Sequence, residues 1–221
     1  MERDNKKEGK RISLIQASVA FILFCGISAL GRVTAPLFFL MILTGIAFPL
    51  IWAKKSDGWD EIGFRREKIA LAIFWGIGAG LATSVYTYFV FGKNQGFSDM
   101  IGLQLLIGTP IWFLIMSPFQ EFFFRGWLQP KFQQGVGKWC GLFLTSGCFT
   151  LWHFCPPFEG TSTSTIPITT FTGIISTFLL GVLFGYIFQR YNNILAPWIA
   201  HALAGVAAVA LGLMSFLQYS P

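Results

Sequence analysis

From end to end the chain alternates a long apolar stretch with a short polar connector, and this alternation restricts the fold more than any single motif does. Apolar segments run from about Ser13 to Leu30, Val33 to Ala53, Ile69 to Phe91, Met100 to Phe124, Trp139 to Phe154, Phe171 to Gln189 and Ile194 to Gln218. A span needs about 20 apolar residues to cross the hydrocarbon core. Inside lipid every backbone N–H and C=O must find a partner within the protein, and a helix does this within one segment. Charged residues make up only 12% of the chain, against about a quarter in soluble domains. The reading is all-α: an integral, multi-pass transmembrane helical bundle of about seven spans. It divides into a basic tail over 1–12, an N-terminal transmembrane region over 13–99 and a core over 100–221.

The net charge of +6 is explained by where the positive residues fall. Lys and Arg accumulate on the cytoplasmic side of short connectors. With the N-terminus in the cytoplasm, that side holds five in the tail, five in Lys54 to Lys68, three in Arg125 to Lys138, and Arg190. Fourteen therefore stand against two, Arg32 and Lys93, on the other side. The expected partners are anionic membrane lipids and no nucleic acid. A first span followed by so many others reads as uncleaved, not as a signal peptide.

Several local patterns are read structurally. Gly76, Gly78 and Gly80 form a GxGxG string, but inside an apolar helix small residues at spacing four are packing notches, as are Gly181 and Gly185. Cys25, Cys140, Cys148 and Cys155 show no CxxC pair, which argues against a disulfide framework or zinc knuckle. The segment Arg125 to Lys138, rich in Gln, reads as interfacial or re-entrant. Cys155-Pro156-Pro157 stops the fifth span, and Phe158 to Thr170, with Glu159, reads as a loop.

Against this background three residues stand out. Nine of the ten acidic residues lie in the tail or in connectors, and the tenth is Glu121, near the end of the fourth span. Both histidines, His153 and His201, also fall in or at the end of apolar segments. An ionisable group at membrane depth costs roughly 2.5–3.5 kcal/mol on insertion scales, so each is a candidate for function. Counted along the spans, Gln120, Glu121 and His201 lie toward the cytoplasmic end and His153 lies deeper. The expectation is one polar cavity, open to the cytoplasm, lined by Glu121, His153 and His201 with Gln120 at its wall.

The order of motifs from about Gln104 to Gly205 resembles the CAAX protease and bacteriocin-processing (CPBP) family of intramembrane proteases, which includes the type II prenyl-protein endopeptidases. Gln120-Glu121-Phe122-Phe123-Phe124-Arg125 stands at the family's Glu-Glu-x-x-x-Arg, and Phe149-Thr150-Leu151-Trp152-His153 matches Phe-x-x-x-His. His201 matches the third motif, whose Asn or Asp four residues on is replaced by Gly205. The resemblance implies an endopeptidase acting on membrane-associated peptides or proteins. It implies that His153 helps to activate water, that His201 stabilises developing charge, and that Glu121, Arg125 and Phe149 support them. A metal is left open; a divalent ion such as zinc would take Glu121, His153 and His201 as its ligands.

Two departures from the pattern bear on activity. Gln120 replaces the family's first Glu, and an amide neither takes a proton at neutral pH nor makes a good metal ligand. Gly205 removes a side chain that the family uses at the oxyanion. The alternative function is a catalytically degenerate relative that serves as a membrane scaffold. A small transporter is a weaker third reading, because no related halves are visible.

Overall fold

The computed structural model describes residues 2–56, 58–93, 96–98, 100–155 and 170–216, and all regular structure among them is helical. Seven helices follow in order: α1 (Glu2–Leu30), α2 (Ala35–Ser56), α3 (Ile69–Gly92), α4 (Ile101–Val136), α5 (Lys138–Trp152), α6 (Phe171–Tyr191) and α7 (Leu195–Ala210). Among the described residues, five helices, α1 to α4 and α6, are long and apolar enough to cross a membrane. The chain is an integral membrane protein built as a polytopic helical bundle. Most of the loop expected over Phe158 to Thr170, Glu159 included, lies outside the described residues. Thr170 itself caps α6, its Oγ1 accepting from the Gly173 N–H at 3.2 Å.

Three boundaries differ from the sequence expectation. The helix of the first span begins at Glu2, so the described part of the basic tail continues it without a break. The last helix stops at Ala210, where Gly212 takes a left-handed φ of 67° and turns the chain back. Gln104 of α4 holds that returning segment, accepting from the Phe216 N–H at 3.0 Å and donating to Ser215 Oγ at 2.7 Å. The third difference matters most. The segment after Phe124 is not a separate re-entrant piece, because α4 runs on to Val136.

The physical reason is that the polar side chains of that segment are consumed between helices. Arg125, Gln129 and Gln133, spaced four apart on α4, donate to Gly181 O (3.2 Å), Gly185 O (3.0 Å) and Gln189 Oε1 (2.9 Å), spaced four apart on α6. Gly185 lets Gln129 approach, since a Cβ there would come within 2.7 Å of Gln129 Oε1, and Gly181 makes room for Ser146 of α5, as small residues do at membrane helix contacts. Gly76 and Gly80 act similarly on α3: a Cβ at either would come within 2.8 Å of α7, at Ala196 O and the Leu203 side chain. Gly78 faces open space, so only the spacing-four pair is a notch.

Contacts between connectors define the two ends of the bundle. At one end Ile194 N–H donates to Gly63 O, and Asn193 Nδ2 to Arg65 O, tying the α6–α7 turn to the basic α2–α3 connector. At the other, Arg32 of the α1–α2 turn donates to Phe154 O and Cys155 O just past α5, and Ser98 N–H to Ala210 O at the end of α7.

Candidate active site

Helix α4 is distorted where it carries the candidate residues. Two wide π-type turns, Trp112–Met116 and Phe122–Leu128, flank the short α-helical stretch Ser117–Glu121. Ser117 N–H reaches back five residues to Trp112 O, and Gln129 N–H to Phe124 O. Pro110 and Pro118 have no N–H for the regular ladder and clash with the carbonyl four residues back, which explains why the register slips near them. Such bulges concentrate at functional sites.

The distortion does not bring Glu121 into the open. Its side chain is 0% exposed, with Oε1 2.7 Å from His201 Nδ1 and Oε2 3.3 Å from Arg125 Nε. The second contact is close enough for strong charge pairing but is not aligned as a hydrogen bond, whereas the histidine contact is. Arg125 is also 0% exposed, its guanidinium lying 4.3 Å over the Phe149 ring. This corrects the count of juxtamembrane positive residues. Arg125 lies in the core of the bundle, which leaves thirteen on the basic side against two.

Phe149 organises the rest of the site. His153 packs edge-on to it at a centroid distance of 4.5 Å and His201 at 5.9 Å, so both imidazoles contact one aromatic ring. His153 Nδ1 lies 2.7 Å from Phe149 O. A carbonyl oxygen can only accept, so Nδ1 carries the proton and Nε2 holds the ring's lone pair. His201 gives its Nδ1 side to the Glu121 carboxylate and stacks on Phe184 at 5.1 Å. A carboxylate behind an imidazole fixes its orientation and tautomer, leaving the second nitrogen for chemistry.

Gln120, His153 and His201 line one cavity of about 130 Å³, together with Trp112, Phe149 and Gly205. That is room for several water molecules. Glu121 does not line it; the carboxylate stands behind His201. The position of the cavity also differs from expectation. Its walls include Tyr86 and Phe91 near the end of α3, Gly173 and Ser176 at the start of α6, and Ala208 and Met214 beyond His201. It therefore lies toward the end of the bundle that carries the α1–α2 turn, away from the basic end. The reason is the long α4, which sets Gln120 and Glu121 near the middle of a helix roughly 50 Å long instead of at its last turn.

The donor set does not suit a metal held by Glu121, His153 and His201. One carboxylate oxygen faces His201 Nδ1 and the other faces the arginine, so Glu121 has no oxygen directed to a point shared with the two imidazoles. Among the described residues no three His, Cys, Asp or Glu side chains gather as a metal-binding group.

Two further features escaped the sequence. Gln120 is 2% exposed and donates from Nε2 to Met116 O at 3.0 Å, and among the described residues its Oε1 has no donor. The space of the missing side chain at Gly205 is filled from α4, since a Cβ there would overlap the Trp112 indole. Trp112 sits among Ile111 and Phe113 with no polar neighbour to mark it.

Residues 102–207 match the family model for type II CAAX prenyl endopeptidase Rce1-like proteins. No curated protein and no solved structure matches the chain.

Proposed function

We propose that this chain, whose residues 102–207 form an Rce1-like domain of the type II CAAX prenyl endopeptidase kind, is an intramembrane endopeptidase that hydrolyses membrane-associated peptides or proteins. The observation that carries the reading is the pair of imidazoles on one cavity, each with one ring nitrogen fixed by the protein. Peptide hydrolysis needs a base for the water and a stabiliser for the oxyanion. His153 Nε2 takes the proton of the attacking water, while Gln120 Oε1 accepts its other hydrogen and orients it. His201 in its doubly protonated form, with Nδ1–H on Glu121, donates from Nε2 to the carbonyl oxygen as charge develops there. His153 then returns the proton to the leaving amine. No step passes through a metal.

The purified protein in lipid nanodiscs is expected to cleave a fluorogenic peptide anchored by an acyl chain. Gln120→Glu is expected to retain or raise the rate, by supplying a carboxylate where the water is oriented. It also sets an acceptor against Met116 O in place of the amide donor, at a cost in stability of about 1–3 kcal/mol. The competing reading, a scaffold without activity, is favoured by Gln120 and Gly205 departing from the motifs, and it requires that neither protein cleaves.

The charge asymmetry further supports an N-terminus in the cytoplasm, and in that orientation the cavity lies toward the non-cytoplasmic end of the bundle. Val33 in the α1–α2 turn is 73% exposed. In a chain with its four cysteines replaced by serine, a membrane-impermeant maleimide added to intact cells should modify Val33→Cys and spare Ser56→Cys. The opposite labelling would reverse the orientation.

A further inference from the structure

We propose that the indole N–H of Trp112 donates a hydrogen bond to the scissile carbonyl of the substrate, supplying from α4 the donor that Gly205 cannot supply from α7. The proposal rests on the endopeptidase reading and names one more group that touches the reacting atoms.

Three observations converge on Trp112. The first is steric: the indole occupies the place where any side chain at 205 would begin, so the glycine and the tryptophan form one complementary pair. A Cβ on Gly205 would overlap Cδ2, Cε2 and Cε3 of the ring, and a rigid fused ring has no flexible end to swing aside. The second concerns hydrogen bonding. Trp112 is only 6% exposed, yet among the described residues its Nε1 has no acceptor. Indole nitrogen is a donor only, and a buried donor without a partner is rare enough in native proteins to call for an explanation. The third is location. Trp112 lines the cavity shared by His153 and His201, with its ring centroid 5.7 Å from that of His201.

Trp112 and Gln120 therefore line one cavity from one helix, and among the described residues each carries a buried polar atom without a partner, Trp112 Nε1–H as a donor and Gln120 Oε1 as an acceptor. They complement a peptide carbonyl and the water that attacks it. A donor poised where charge develops needs no reorganisation during the reaction, which is what makes oxyanion donors effective. Trp112 is preorganised in this sense, because Gly205 and His201 fix the plane of its ring.

Trp112→Phe keeps an aromatic ring over Gly205 and removes only the donor. With an acyl-anchored peptide as substrate, kcat should fall by about 10²–10³-fold while KM changes little, the usual effect of losing one oxyanion donor. A kcat within threefold of the unmodified protein would overturn the assignment. A second measurement does not depend on turnover. In protein with ¹⁵N-labelled indoles in nanodiscs, the Trp112 N–H resonance, assigned by its loss in Trp112→Phe, should move downfield when a stearoylated tetrapeptide amide is added at saturating concentration. A resonance that stays in place would refute the donor role whether or not the protein cleaves. Absence of cleavage by the unmodified chain would count against the endopeptidase reading alone.

Discussion

Arg125→Met is expected to destabilise the bundle by about 3–5 kcal/mol, the cost of removing one partner from a buried ion pair. Both Glu121 and Arg125 are 0% exposed. Without the guanidinium, the carboxylate would keep its histidine contact but lose the cation opposite Oε2. The substitution also strips the contact over Phe149 and the bond to Gly181 O, which help to hold α4 against α5 and α6. For a chain of this size the loss corresponds to roughly 10 °C in apparent Tm. Thermal unfolding in detergent measures it. Replacing both partners, Glu121→Leu with Arg125→Met, should recover much of the stability, since two buried charges and their desolvation are removed together. A change below about 1 kcal/mol for Arg125→Met is what an exposed pair would give, and it would place Arg125 at the membrane surface.

That arginine also shows where sequence reasoning stopped. Apolar length and the spacing of connectors made the bundle legible, because hydropathy reports directly on what lipid tolerates. The polar residues after Phe124 were ambiguous by the same measure. Gln129 and Gln133 look alike whether they meet water or a neighbouring helix, and only the facing carbonyls of α6 decide between these. Continuing α4 to Val136 then moved Glu121 inward and set the cavity toward the opposite end of the bundle from the one expected. The three ionisable residues were legible because each is costly in lipid. Their division of labour was not, since the face on which Glu121 lies depends on π-type turns that composition does not announce. Trp112 was hidden for a related reason: its role depends on the absence of a side chain ninety-three positions later, at Gly205.

The second large effect concerns His153, which donates from Nδ1 to Phe149 O and lines the cavity, and whose proposed role is that of the base through Nε2. Glu121 has its oxygens turned to His201 and Arg125, and Gln120 is an amide, so neither offers a comparable proton acceptor there. Losing a general base typically costs about 10²–10⁴-fold, or roughly 3–5 kcal/mol of transition-state stabilisation. His153→Ala removes a half-buried ring at the end of α5. Its effect should therefore fall on turnover, with the fold and membrane insertion retained. The decisive measurement is cleavage of an acyl-anchored fluorogenic peptide by the purified protein in nanodiscs, run beside His153→Ala. Cleavage by the unmodified chain that drops by at least 10²-fold in the variant is the predicted result; no cleavage by the unmodified chain, or cleavage that survives the substitution, would contradict it.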